Sequence, residues 1–518
     1  MRGRDALIRA LLSMALAGAA ARGACAAAAS CESLRSFSLS GGEVSGAAMA
    51  SDAQAGPYCR VTLRLRPSAD SSIRSELWLP PPQRWNGKFQ GVGNGGLAGD
   101  IPRDALAAGL RRGYATAATD TGHDNAAGVG RFALGHPEKI VDYGHRAIHV
   151  TALAGQAITT AYYARQPRHR YFVGCSQGGQ EAMMEAQRYP ADYDGIIAGD
   201  PDYHQTHHEV GAHLWVVNAL YGDGGAVLGE REARLVGAAV DRACDALDGV
   251  ADGVLEDPRR CDFDPAVLQC RGTDHDECLS AAQVRVVRRL WAGPDELAGA
   301  GYYPGLERGG EAGLWGGWIV ARSPEENTHG ALGLPFFRYF VYDDAHWDFR
   351  DFDFGHAPPQ IDARLADAID AVDPDLRPFA QRGGRLIHYH GYSDPDIPPR
   401  ASIDYHDRVV ALAGARGEAT RVDGYYRLFM VPGMGHCGGG PGPNRFDMLA
   451  ALERWVEQGA APERIVATKF RDDDAQRGVL RTRPLCPYPR VARYRGRGST
   501  DEARSFECRL PPRDAVEH

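Results

Sequence analysis

Beyond its first thirty residues the chain has no apolar run approaching the ~18 residues that a membrane-spanning helix requires. This excludes a helical membrane span in the body of the protein. It also has no stripe of lysine and arginine. The 58 basic and 67 acidic residues are mixed along the chain and leave a net charge of −9. That pattern argues against a nucleic-acid surface and mainly favours solubility. There is no internal repeat and no long low-complexity linker, so neither a solenoid nor loosely tethered modules are expected. The 518 residues provide ample chain to bury a large core.

What is present begins with a leader. Arg2, Arg4 and Arg9 precede an apolar run over residues 11–21, and small residues follow over 24–30. This is the layout of a secretory signal peptide, residues 1–29, with cleavage expected near 26–30. Secretion or residence in a periplasm follows. Of 11 cysteines, Cys25 is expected to leave with the leader, and the remaining ten are an even number in an exported chain. Proximity suggests Cys31–Cys59, Cys244–Cys261, Cys270–Cys278 and Cys486–Cys508, although connectivity does not follow from sequence. Cys175 and Cys437 remain.

Residues 59–65 alternate apolar and polar side chains, as a half-buried strand does. Residues 76–79 and 88–92 continue the strand signals, 104–112 suit a helix, and 113–119 a small-residue strand. Residues 144–165 suit a long helix, 170–173 a short strand, 177–188 a helix and 195–198 another strand. Such alternation predicts an α/β fold around a largely parallel sheet. From about 204 to 372 the pattern turns aromatic, glycine-rich and irregular. Alternation resumes with strands at 385–390, 426–431 and 465–470 and a helix at 446–458. The simplest account is a sheet domain interrupted by a large insertion.

The chemistry sits on Gly174-Cys175-Ser176-Gln177-Gly178-Gly179. Strand, G-x-S-x-G turn and helix together make a nucleophile elbow. Small residues flank the serine because its backbone is strained and strand and helix pack closely there. The Gln177 amide can donate to an oxyanion. A second donor is expected from the loop after residues 88–92, at Gly95 or Gly96. A serine hydroxyl needs a base, and the expected chain order is serine, acid, histidine. Of 18 histidines, His436 stands on the glycine-rich loop after the strand at 426–431, with Cys437 beside it. Asp394, at the end of the strand at 385–390, is the expected acid. Asp396 is its close competitor and Asp200 a lesser one. A Cys175–Cys437 bridge would tie the serine loop to the histidine loop and fix their spacing.

A third constellation runs from Cys244 to Val254. Asp245, Asp248 and Asp252 offer side-chain oxygens and Val250 and Val254 offer carbonyls, with glycines between, as a hard cation requires. A structural Ca2+ is expected there, although the closing glutamate of an EF-hand is missing.

Together, the Cys-Ser elbow, the His436-Cys437 pair, the Asp394 segment and the acidic loop resemble the tannase and feruloyl esterase family, which also includes mono(2-hydroxyethyl) terephthalate hydrolase. The resemblance covers nearly the whole mature chain. It implies an α/β-hydrolase domain over residues 30–203 and 372–518, with a disulfide-rich lid domain over 204–371. It also implies the Cys175–Cys437 bridge, the four proximity pairs, and a structural calcium in the lid without any organic cofactor. The implied activity is hydrolysis of aromatic esters, such as feruloyl esters, through an acyl-enzyme on Ser176. The implied partners are small aromatic esters, including those carried on plant polysaccharide. Galloyl esters and terephthalate half-esters are the alternatives, and a non-catalytic binder of aromatic esters is the reading outside the class. Lid aromatics Trp315, Trp318, Phe336, Phe337, Tyr339 and Trp347 are candidates to hold the ring. Arg322 and Arg338 are candidates to face a free carboxylate. The related terephthalate enzyme carries an aromatic residue three positions after the acid, where this chain has Ile397, and Asp200-Pro201-Asp202 adds acidity. Both departures point toward neutral esters.

Overall fold

A computed structural model describes residues 29–271, 277–294 and 301–511. The expected leader, with Cys25, falls outside the described residues apart from Ala29. Nine strands form the main sheet: β1 (Gly42–Asp52), β2 (Gly56–Leu65), β3 (Ile73–Leu79), β4 (Lys88–Val92), β5 (Ala115–Thr119), β6 (His169–Cys175), β7 (Gly195–Gly199), β8 (Arg385–Gly391) and β9 (Tyr426–Val431). Their order is β1-β2-β3-β5-β4-β6-β7-β8-β9. From β5 to β9 all neighbours are parallel, whereas β1, β2, β3 and β5 pair antiparallel. The expected largely parallel sheet is therefore parallel only in its second part. The reason lies in the connections, since β1, β2 and β3 are joined by short turns that allow only hairpins. The β4/β5 exchange and the crossover helices beyond it are the α/β-hydrolase arrangement.

The two faces of the sheet follow from side-chain alternation. Phe172, Ile196 and Leu386 face one core, which the helices Ala147–Tyr163, Gln177–Arg188 and Arg400–Ala415 help to cover. The adjacent residues Tyr171, Ile197 and Ile387 face the other, against the helix Met448–Gln458. β7 is buried along its whole length, as a central parallel strand covered on both sides must be. β1 lies at one edge and alternates between exposed and half-buried positions. The helix expected over 144–165 is α-helical from Ala147 to Tyr163, after a π-helical turn at Asp142–Arg146.

Two expectations change. The strand Ile465–Phe470 forms, but it pairs antiparallel with Val479–Leu485 in a separate two-stranded sheet and does not extend the main one. The stretch between β7 and β8, irregular by pattern, is rich in short helices around two apolar clusters. One centres on Phe336, Phe337, Phe340 and Trp347, the other on Val236, Val287, Leu290 and Trp315. Its helices are short and interrupted by π and 3-10 turns, which blurs the periodicity a sequence pattern depends on.

Among the described residues there are five disulfides: Cys31–Cys59, Cys175–Cys437, Cys244–Cys261, Cys270–Cys278 and Cys486–Cys508. Among the described residues, no helix is long and apolar enough to cross a membrane.

Candidate active site

Three strand ends meet at the C-terminal edge of the parallel strands. β6 runs into Ser176, whose backbone is left-handed, with φ 65° and ψ −125°. For a serine this costs on the order of 1–3 kcal/mol. The turn is held by its hydrogen bonds. Ser176 N–H donates to the Gly199 carbonyl at 3.0 Å, and its own carbonyl accepts from Gly179 at 2.8 Å and Gln180 at 3.0 Å. Side chains at Gly174 and Gly179 would strike the backbone of Gly178 and Gly199, so the elbow requires glycine at both positions.

β8 delivers Asp394 and β9 delivers His436. His436 Nδ1 lies 2.8 Å from Asp394 Oδ2. Asp394 Oδ1 accepts the amides of Asp396 at 2.8 Å and Ile397 at 3.1 Å, and His390 Nε2 stands 3.2 Å from Oδ2. Burial alone would raise the Asp394 carboxyl, but the His436 charge and the hydrogen bonds from His390 and His436 hold it down at about 2. Burial also works against a charged His436, yet Asp394, Asp396 and Asp200 together raise its pKa above the ordinary imidazole value. Asp396 lies on the other side of the ring, with Oδ2 3.6 Å from Nε2. Among the described residues, the Ser176 hydroxyl makes no hydrogen bond. The Cys175–Cys437 bridge joins its loop to that of His436, with the two cysteine Cα atoms 6.0 Å apart.

Ser176, Gln177 and Gly96 line one cavity of about 20 Å³, together with Leu97, Leu332 and Ile397. Gly95 is not among its lining residues. The amides of Gln177, Gly95 and Gly96 donate no hydrogen bond among the described residues. The rest of the lining is polar: Asp202, Gln205, His208, Glu209, His213 and Asp396. Sequence reasoning missed these histidines, along with His329 close by. The only signal was the histidine-rich stretch His204, His207, His208 and His213. A π-helical segment, Glu209–Leu214, carries His213 round toward His208.

Among the six lid aromatics, Trp315, Phe336, Phe337 and Trp347 are buried in the insertion's own clusters. Tyr339 packs at the edge of one cluster, under Arg131. Trp318 reaches the site, edge-on to the His436 ring at 5.4 Å. Arg322 points to solvent beside Glu326, and Arg338 donates to the Trp347 carbonyl. Neither lines the cavity at Ser176.

In the acidic loop, Asp245 Oδ1 accepts the amides of Asp252 and Gly253, and Asp248 Oδ1 accepts that of Val250. Asp252 pairs with Arg481 and Arg483. Burial pushes the Asp248 carboxyl up to about 6, and the Asp252 charge adds to this. The donors are all oxygens, and a desolvated carboxyl beside a second one suits a hard cation. Among the described residues, the three aspartates are not one of the groups whose ligand atoms converge within 4.8 Å. The fit therefore rests on donor type and on the desolvation of Asp248. Val250 also packs against Cys486, Ala492 and Phe506, joining the insertion to the C-terminal hairpin.

Comparison with known proteins agrees with this layout. Residues 59–509 match the family model described as tannase and feruloyl esterase. An uncharacterized esterase of Xanthomonas campestris pv. campestris is 41% identical over 88% of this chain and 85% of its own length. Mono(2-hydroxyethyl) terephthalate hydrolase of Piscinibacter sakaiensis is 35% identical over 90% and 87%. The crystal structure of feruloyl esterase B from Aspergillus oryzae superposes with a TM-score of 0.81 at 28% identity, covering 92% of this chain and 99% of that one. The chain belongs to the tannase and feruloyl esterase family, a family of ester hydrolases.

Proposed function

We propose that the protein is an exported serine carboxylesterase that releases aromatic acids of the hydroxycinnamic type through an acyl-enzyme. The observation that carries this is the join of two loops. The elbow of Ser176 and the His436–Asp394 pair are tied by a disulfide between their immediate neighbours. Ser176 attacks the ester carbonyl as His436 Nε2 takes its proton. Asp394 holds the Nδ1–H and stabilises the imidazolium. The amide of Gln177, with that of Gly96 or Gly95, receives the charge developing on the carbonyl oxygen. His436 then returns the proton to the leaving alcohol, and water repeats the sequence to release the acid. The leader and five disulfides support export, and the acidic loop supports a structural Ca2+ held by Asp245, Asp248, Asp252 and the carbonyls of Val250 and Val254.

A cavity of about 20 Å³ holds one water-sized group, not an aromatic ring. Ring binding therefore requires Leu97, Leu332 or Ile397 to shift. A second reading, galloyl ester cleavage, draws on the polar lining, because Asp202, His208, Glu209 and Asp396 can pair with ring hydroxyls. Terephthalate half-ester cleavage has less support, since among the described residues no arginine lines the cavity.

The test is acid release from methyl ferulate, methyl gallate and mono(2-hydroxyethyl) terephthalate side by side, with Ser176→Ala as control. Ferulate preference lost in the variant supports the first reading, and gallate preference the second. Absence of turnover, together with failure of a fluorophosphonate to label Ser176, would leave a binding protein.

A further inference from the structure

Next to Ser176 lies a set of imidazoles that ester cleavage does not use. His208, His213, His329 and Asp396 are all buried, at 1%, 3%, 0% and 3% exposure. Their inward atoms meet around one oxygen. His213 Nε2 is 3.0 Å from Asp396 Oδ1, and His208 Nε2 and His329 Nδ1 are each 3.8 Å from it. Four donors bound tetrahedrally to zinc at ~2.0–2.1 Å stand roughly 3.3 Å apart. His208, His213 and Asp396 can each offer a ligand atom within 4.8 Å of the other two, whereas His329 falls outside that group and its Nδ1 must move inward to bind.

Two of the outward nitrogens are hydrogen-bonded to an oxygen: His213 Nδ1 is 2.8 Å from Glu209 Oε2 and His329 Nε2 is 3.0 Å from the Pro395 carbonyl. His208 Nδ1 lies 3.0 Å from Asp202 Oδ1 without hydrogen-bond geometry. Metal-binding histidines are oriented this way, with a carboxylate or carbonyl fixing the tautomer from behind. His329 adds an independent observation. Its Nε2 must carry the proton donated to Pro395, so Nδ1 presents a lone pair, and that atom is buried without a hydrogen-bond partner. A buried lone pair facing a carboxylate oxygen at 3.8 Å is stabilised by a positive group between them, a proton or a metal ion.

We propose that His208, His213, His329 and Asp396 form a binding site for a divalent transition metal of the zinc type. Three nitrogens and one carboxylate oxygen suit Zn2+ and not the oxygen-seeking Ca2+ or Mg2+. His208 Nε2 exchanges its 3.2 Å contact with the Asp396 carbonyl for the metal. The competing occupant is a proton shared between the imidazoles and Asp396. The site borders the cavity of Ser176, and Asp396 Oδ2 faces His436. A bound metal offsets the Asp396 charge that faces His436, so it shifts the acid limb of ester cleavage to lower pH. That effect rests on the proposed esterase reading, whereas the binding does not.

The test uses the full chain as purified, stripped of transition metal and kept in excess Ca2+ so that the acidic loop does not compete. Zn2+ is titrated by calorimetry and Co2+ by visible absorption. The expected result is one saturable site, micromolar or tighter, with the intense visible band of four-coordinate cobalt. His213→Gln and His329→Gln, checked for folding by near-ultraviolet circular dichroism, should each weaken binding by at least about tenfold. Glu209→Gln keeps every ligand, removes only the carboxylate behind His213, and should also weaken binding by about tenfold. Ser176→Ala should bind metal as the parent does. Absence of saturable Zn2+ binding, or binding unchanged in all three cluster variants, would overturn the proposal.

Discussion

Asp200 Oδ2 accepts the backbone N–H of Cys437 at 3.0 Å, while its Oδ1 accepts that of Gly391 at 2.6 Å. One buried carboxylate thus joins the ends of β7 and β8 to the loop of His436. By chain order Asp200 was a lesser candidate for the acid, but the His436 Nδ1 hydrogen bond goes to Asp394. Asp200 is a clamp. Asp200→Ala should leave the buried Gly391 amide and the part-buried Cys437 amide without an acceptor, at a cost of about 1–3 kcal/mol for the buried one. A clear fall in melting temperature is expected, with a lower kcat as the histidine loop loosens. An unchanged melting temperature would contradict the clamp.

Ser176→Ala should fold normally and lose at least about four orders of magnitude in kcat, since nucleophile and base act as a unit. Fluorophosphonate should label the parent at Ser176 and fail to label the variant. Labelling at another residue would displace Ser176 from its proposed role.

The pH profile is set by the carboxylates around His436. The base must be neutral to accept a proton, and Asp394, Asp396 and Asp200 stabilise its charged form. Activity should therefore rise with pH through a limb above the ordinary imidazole value. Asp396→Asn removes one of these charges, so the acid limb of kcat/KM should move to lower pH, by about one unit or more. A limb that stays in place, or moves upward, would mean that Asp396 does not act on His436.

Reduction should inactivate the protein. The Cys175–Cys437 bridge spans 262 residues of sequence, for which chain entropy predicts a stabilisation on the order of 5 kcal/mol. Paired Cys175→Ser and Cys437→Ser substitutions should lower both the melting temperature and kcat, and reductant should add little further loss of activity. Full activity of the paired variant would show that the bridge does not position the two loops.

Chelator should act on stability more than on chemistry. The acidic loop lies in the insertion and packs against the C-terminal hairpin, and among the described residues none of its residues lines the cavity at Ser176. Excess chelator should lower the melting temperature with little effect on initial rates, and Asp248→Asn should mimic it and blunt any further effect. A melting temperature indifferent to chelator in the parent would remove calcium from this loop.

Much of the site was legible in sequence because its parts are local. An elbow needs a strand, small residues and a helix in immediate succession, and Gly174 to Gly179 write that in six positions. Ser176, His436 and the candidate acids each follow a strand of strong apolar pattern, and the structure brings Ser176 and His436 to one sheet edge with Asp394 on the ring. The choice among Asp394, Asp396 and Asp200 was less legible. All three follow parallel strands, and only the path of the His436 loop decides which oxygen meets Nδ1.

The linear sequence by itself determined the chemistry-bearing turns and the parallel core strands, because each depends on neighbours a few residues apart. Tertiary structure alone decided which of six aromatics turns to the site, because burial in the insertion's clusters depends on packing between distant segments. It also made hairpins of the first strands and split the strand at Ile465–Phe470 from the main sheet. Finally, it gathered His208, His213, His329 and Asp396 around one oxygen, a meeting of three separate segments that no spacing along the chain announces.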